Sequence, residues 1–382
     1  MIKYLILLNI IFFLFINSAL SCINNINSEY LDSLTKTNIT YNEIDSDSNN
    51  CNCDINSLSF LSGRDSINNS ENIDTVQSLR INQNEFTYSD NLRYTINGDL
   101  PLIENDLDPL KFGVFAASFT GFIIGQHIYQ VNTIWSKTSG FKFIEDGNYA
   151  LYADKVGHFY GAYLGGYTYS EMFMWSGLSY KNATLAGSLL GLAYSTYVEI
   201  MDGYADNWGF SPSDFYSDVA GFGFFYLQQT VPWFQNITPK FMYIPSEWHG
   251  EHSRVNSEFF IDDYSSQTFY FTFNIYNILP DDYKQYWLPW LQLTVGYAAR
   301  NLSQPSVSGY NPDNATKYSD LVAGSPKFII GLDYDFVKLL PDGIPIWNWL
   351  RQSLNFMKLP APAIEFSEQG TRFMLMYPFL KL

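Results

Sequence analysis

The sequence predicts an α+β protein: an apolar four-helix bundle followed by an antiparallel β-region. Three observations carry that prediction. Four successive apolar segments between residues 108 and 232 repeat small side chains at i, i+4 and i+8, the spacing that lets helix backbones approach closely. After Pro239 the pattern changes to alternation of period 2, the signature of strands with two different faces. The charge of the chain lies mostly ahead of both regions. Over 382 residues, 38 acidic and 21 basic side chains give a net charge of −17, yet only 15% of the chain is charged, against 47% hydrophobic and 18% aromatic. A disordered acidic chain would lack the aromatics, and a nucleic-acid binder would carry the opposite sign. Three cysteines are too few for a disulfide-stapled scaffold.

The N-terminus reads as an export signal. Lys3 supplies the positive start, Tyr4 to Ile16 is almost wholly apolar, and Ser18-Ala19-Leu20-Ser21 supplies small residues before Cys22. Residues 1–21 are therefore expected to be a signal peptide. Ala19-Leu20-Ser21-Cys22 is an imperfect lipobox, so lipidation of Cys22 and ordinary signal-peptidase cleavage both remain open. Residues 22–106 hold 14 Asp/Glu and 4 Lys/Arg among many Asn and Ser, which makes them a flexible acidic tether with room for a short strand around Glu85 to Ile96. Cys51 and Cys53 have no further His or Cys ligands nearby and read as an exposed pair.

The helical body is expected over 107–235, with helices at about 110–134, 149–175, 182–201 and 212–230. Residues 112–135 contain no Asp, Glu, Lys or Arg, long enough to span a bilayer at about 20 apolar residues. The small-residue stripes are Gly113/Ala117/Gly121/Gly125, Gly157/Gly161/Gly165, Ala183/Gly187/Gly191 and Ser213/Ser217/Gly221. Ser211-Pro212-Ser213-Asp214 predicts a capping box at the start of the fourth helix, with Ser211 as the cap and Asp214 as its acidic partner.

The few charges of this body occur in pairs at helix ends. Asp154 and His158 share a face at the start of the second helix, Glu199 and Asp202 share one at the end of the third, and Asp214 and Asp218 open the fourth. Antiparallel packing would bring all three pairs to one end of the bundle. Two chemistries suit them. His158, Glu199, Asp202 and Asp218 are candidate ligands for a divalent metal, and Asp154, Lys155 and His158 are candidate catalytic residues, His158 acting as a general acid oriented by Asp154. A polar cluster that only holds the helices in register fits the same residues. His127, in the apolar first helix, reads as a core histidine.

The residues Asp154-Lys155-Val156-Gly157-His158-Phe159, Glu199-x-x-Asp202-Gly203 and Trp208-Gly209-Phe210-Ser211-x-x-Asp214 resemble an uncharacterised bacterial family of predicted periplasmic lipoproteins. They are also distantly similar to VanZ-like membrane proteins, although Asp218 stands where that pattern has Asn. The closer resemblance covers about 150–235 and implies an envelope location, without implying a reaction.

The β-region is expected over 236–382. Thr268 to Ile278, Leu291 to Arg300, Lys327 to Val337 and Arg372 to Phe379 alternate, and five or six such strands are too few for a closed barrel, so an open sheet is favoured. Ile346 to Met357 reads as an amphipathic helix, and Glu247, His249, Glu251 and His252 form a dense patch whose spacing would permit a surface metal site but which a solvated loop explains. The functional expectation is an exported, membrane-associated envelope protein with a structural or binding role, located in the periplasm or at the outer membrane. Its expected partners are a membrane or lipid and not nucleic acid, and homo-oligomerisation is compatible with the sequence. The alternative is a membrane-associated enzyme, metal-dependent or not, acting on a lipid or lipid-linked substrate through His158 and the acidic cluster.

Overall fold

The computed structural model describes residues 79–251, 263–303 and 323–382. The export segment, Cys22, Cys51, Cys53 and His252 lie outside them. The described chain is an α+β unit in which four long helices precede a seven-stranded antiparallel sheet. Residues 79–106, which the charge pattern places in the tether, pack onto the body. Strands β1 (Thr87–Tyr88) and β2 (Asn91–Leu92) form a hairpin. Its turn residues Ser89 and Asp90 both have positive φ, the requirement of a tight two-residue connection. The alternation around Phe86 and Tyr88 therefore marks a real hairpin, anchored because Phe86 is buried and Arg93 is paired inside the bundle.

Helix α1 (Pro109–Asn132) starts where Asp108 accepts bonds from the Leu110 and Lys111 amides, with proline in the first turn. Helices α2 (Ala153–Trp175), α3 (Tyr180–Tyr204) and α4 (Pro212–Thr230) follow. The small-residue stripes of α3 and α4 bring those helices close against α2, whereas on α2 itself Gly161 meets nothing within 4 Å. A Cβ on Gly187 would stand 2.5 Å from the Ser170 amide nitrogen, and one on Gly221 would stand 2.2 Å from the Phe159 carbonyl oxygen. On α1, by contrast, Gly113, Gly121 and Gly125 face nothing within 4 Å. That helix meets its neighbours through Phe115 against Phe173 and Phe119 against Tyr169, while Leu110, Val114, Phe122 and Ile128 are exposed.

The sheet runs in chain order: β3 (Ile237–Tyr243), β4 (Gln267–Phe273), β5 (Leu291–Ser303), β6 (Ala323–Tyr334), β7 (Ala363–Ser367), β8 (Gly370–Met376) and β9 (Leu380–Lys381). Among the described residues no ladder joins β3 to β9, so the sheet is open, as expected. The free edge of β3 meets the segment before β7 instead, through Lys358 N–H and the Phe241 carbonyl. The first alternating run ends at Phe273 rather than Ile278 because Asn274 caps a helical turn, and the run ending at Val337 stops at Tyr334 because Asp335 caps another. The amphipathic helix is α5 (Pro345–Ser353), shorter than expected and continued by a 3₁₀ turn over Leu354–Phe356.

Alternation divides the sheet into two unlike faces. The outer side of β3 to β5 packs Phe241, Phe269 and Ala299 against Ala153 and Tyr160 of α2. The inner side is closed and mixed: Met242, Tyr270, Ala298, Ile329 and Met374 pack into an apolar cluster beside buried charges. Lys240 lies 3.1 Å from Asp333, both with no exposed side-chain surface, and Arg300 donates to the Ser265 and Gln267 carbonyls at 2.7 Å. Beyond the helices the outer side is apolar and open: Val295, Phe328, Ile330, Phe366, Phe373 and Leu375 are all exposed. Charges enclosed on one face while a row of large apolar side chains stands open on the other depart from the usual order of a water-soluble sheet.

Candidate functional site

The three charge pairs meet at one end of the bundle. Helices α2 and α3 run antiparallel, so the first turn of α2 faces the last turns of α3. The short link after α3 returns the chain at once to the start of α4. Immediately before α2, Ala150, Leu151 and Tyr152 all adopt positive φ, a conformation non-glycine residues hold only when surroundings enforce it. Tyr297 donates from its hydroxyl to the Leu151 carbonyl and Tyr149 donates its amide to the Asp146 carbonyl, which together hold this turn and set Asp146 beside Asp154.

Two cations organise the acids. Lys155 Nζ is 2.5 Å from Asp146 Oδ1, 2.5 Å from Asp154 Oδ2 and 2.6 Å from Asp214 Oδ1. His158 lies across the cluster, its side chain 26% exposed. Its Nε2 is 3.7 Å from Asp154 Oδ1 and 3.6 Å from Asp214 Oδ1, and its Nδ1 is 3.2 Å from Asp218 Oδ1 and 4.0 Å from Glu199 Oε1. With both ring nitrogens aimed at carboxylates, a general-acid role for His158 would first require one of these contacts to open.

Ser211 caps α4 as expected, accepting from the Asp214 amide at 3.3 Å. The reciprocal half of the capping box is different. The Ser211 amide donates to Glu199 Oε2 at 3.1 Å, while the Asp214 carboxylate turns to Lys155. Burial explains the exchange, because a charged lysine inside the cluster outcompetes a backbone amide for the carboxylate. Asp202 stands at the margin. Trp135 Nε1 donates to its Oδ1 at 2.6 Å, and it is absent from both groups whose ligand atoms lie within 4.8 Å of one another, Asp154/His158/Asp214 and His158/Glu199/Asp218. Asp146, Trp135 and Tyr264, whose hydroxyl donates to Asp154, belong to the cluster but were not legible as such. Asp146 looked like a turn residue beside Gly147, and Tyr264 arrives from the distant β-region.

The electrostatics follow from packing six carboxyl groups around two cations at low exposure. Burial pushes Glu199 up to about 9, against the pull of His158, and raises Asp202 to about 7. Burial and the neighbouring Asp154 charge raise Asp214. Burial also raises Asp218, although His158 opposes it. Asp154 goes the other way: burial disfavours its charge, but His158 and Lys155 hold it below the ordinary carboxylate range. Burial works against the imidazolium of His158, yet Asp214, Asp218 and Asp154 keep its proton well beyond the usual range. The cluster can thus store protons or a cation.

The remaining candidates lie apart. His127 is a core histidine, with Nδ1 2.6 Å from the Tyr197 hydroxyl. In the connector, Glu251 pairs with Lys327 and accepts from Asn301, so it is committed to the sheet end.

No curated protein and no solved structure matches the chain. Residues 140–230, the stretch that supplies Lys155, His158 and the carboxylates of the cluster, match the family model described as "Predicted periplasmic lipoprotein (DUF2279)", in agreement with the exported, envelope location expected from the N-terminal segment.

Proposed function

We propose that the protein is an exported, membrane-associated component of the cell envelope with a structural or binding role, seated in lipid through α1 and the outer side of β5 to β8. The observation that carries this reading is the open apolar outer face of the sheet, with Phe328, Ile330, Phe366 and Phe373 facing outward while Lys240, Asp333 and Arg300 are enclosed. In water such an exterior is unfavourable at roughly 25 cal/mol per Å² of apolar surface, whereas hydrocarbon solvates it. Helix α1 adds 24 residues long and apolar enough to cross a bilayer. The likeness of the Asp-Lys-x-x-His-Phe motif to VanZ-like membrane proteins accords with this reading. The test is fractionation of the full chain followed by alkaline extraction. The protein should stay with the membrane, and Phe328→Lys with Phe373→Lys should release it, since a lysine facing mid-bilayer costs about 2–4 kcal/mol. A chain that leaves the membrane as a soluble monomer overturns the reading.

One observation favours the enzymatic alternative: His158 is reachable from the surface while ringed by four carboxylates. On that reading it acts on a lipid or lipid-linked envelope substrate. His158→Asn in a folded protein should then reproduce the envelope phenotype of a deletion, and wild-type behaviour would exclude the site from function.

A further inference from the structure

We propose that His158 Nδ1, Glu199 and Asp218 form a binding site for one divalent cation of the Zn²⁺ or Mn²⁺ class. The site is independent of the membrane reading.

The cluster has two halves with different charge balance. On the Nε2 side of His158, Asp154 and Asp214 already hold the Lys155 ammonium, which lies within 2.6 Å of both. A metal placed there would meet that ammonium at contact distance. On the Nδ1 side the imidazole is the only cation within ion-pair distance of Glu199 and Asp218 among the described residues, and their ligand atoms and the ring nitrogen lie within 4.8 Å of one another.

A separate observation points to a missing partner on that side. Asp218 is 2% exposed, and its Oδ2 is buried with no hydrogen-bond partner among the described residues. A buried carboxylate oxygen left unsatisfied is rare and costly, and an ion is one of the few things that resolves it. Glu199 has an oxygen to offer as well: its Oε2 takes the Ser211 amide, and Oε1 faces His158 Nδ1.

The donor set selects the class of cation. One imidazole nitrogen with two carboxylates suits Zn²⁺ or Mn²⁺, while Ca²⁺ and Mg²⁺ prefer oxygen alone. The surroundings match what such a site requires. With Nδ1 on the metal, the ring carries its proton on Nε2, which faces Asp154 Oδ1 and Asp214 Oδ1. Carboxylates behind a ligating histidine fix its tautomer and orientation. Lys155 and Tyr264 hold the Asp154 carboxylate in place for that task.

The experiment uses the full chain in detergent, stripped with chelator and then titrated with Zn²⁺, Mn²⁺, Ca²⁺ or Mg²⁺ by calorimetry. Bound metal is counted by elemental analysis. One equivalent of Zn²⁺ or Mn²⁺ is expected, with Ca²⁺ and Mg²⁺ far weaker. Glu199→Gln and Asp218→Asn, near-isosteric changes, should each weaken binding about 100-fold or more, and Asp154→Asn about 10- to 100-fold. Asp206→Asn, exposed and outside the cluster, should leave it unchanged. Co²⁺ provides a second readout: its spectrum should lack thiolate charge transfer, which separates this site from the cysteines. The melting temperature should rise with Zn²⁺ in the wild type and not in Asp218→Asn. Failure to take up metal, or uptake insensitive to Glu199→Gln and Asp218→Asn, overturns the proposal and leaves a cluster that holds protons only.

Discussion

Arg93 Nη2 lies 2.7 Å from Glu171 Oε1, and both side chains are almost wholly buried between the N-terminal hairpin and the C-terminal turns of α2. The guanidinium also lies over the rings of Phe86, Tyr167 and Tyr180. A residue from the acidic leader is thus enclosed by the bundle. Arg93→Ala should destabilise the protein by about 3–5 kcal/mol, because it strands a buried carboxylate. Chemical denaturation checks this, and the double change Arg93→Met with Glu171→Leu should recover most of the loss.

Lys155 is the single ammonium shared by Asp146, Asp154 and Asp214. Its replacement by methionine keeps the length and removes the charge. The variant is expected to lose about 3–5 kcal/mol of stability at neutral pH, because the carboxylates stay buried without their counter-charge. A melting temperature unchanged at neutral pH would mean that the cluster is solvated.

The glycines of the bundle should separate by position. Gly221→Ala places a methyl against the Phe159 carbonyl, and Gly187→Ala places one against the backbone of Ser170. Each is expected to cost about 1–3 kcal/mol by forcing α2 away from its neighbour. Gly121→Ala meets nothing within 4 Å, so it should be neutral or stabilise α1 by up to about 1 kcal/mol. Thermal unfolding of the three variants distinguishes the cases.

The raised acids predict how stability responds to pH in chelator-containing buffer. Glu199 and Asp202, held up to about 9 and about 7, keep protons in the folded chain that the unfolded chain releases above about pH 4–5. The folded state therefore binds more protons, and stability falls as pH rises through this window. His158 acts in the same direction: its raised value contributes stability present below about 6.5 and lost as pH climbs through the folded value. Asp154, held low, opposes this only in acid, where its contribution is lost as pH falls. The melting temperature should be higher near pH 6 than near pH 9, and Glu199→Gln should flatten that slope.

Much of the architecture was legible because it depends on local patterns. The charge-free run of α1, the stop at Ser176-Gly177 and the Ser211-Pro212 start of α4 each place a helix end within a few residues of where it lies. Period 2 located β4, β5, β6 and β8, but β7 and β9, with five and two residues, are too short to show a period. The hairpin at 87–92 was only a suggestion, since its stability comes from Arg93 and Ser89 contacts more than 70 residues away.

By itself the sequence determined which residues carry charge at helix ends, that three such pairs share faces, and that the chain changes from helices to strands near Pro239. Spacing along a helix is a local property, so it can be read directly. Only the tertiary structure decided the partners. It assigned Lys155 to one half of the cluster and left Asp218 Oδ2 unsatisfied in the other. It also brought in Asp146 and Tyr264, moved Asp202 to Trp135, and turned the charged face of the sheet inward. Those outcomes depend on how distant elements approach and on what burial does to a carboxylate once they have met.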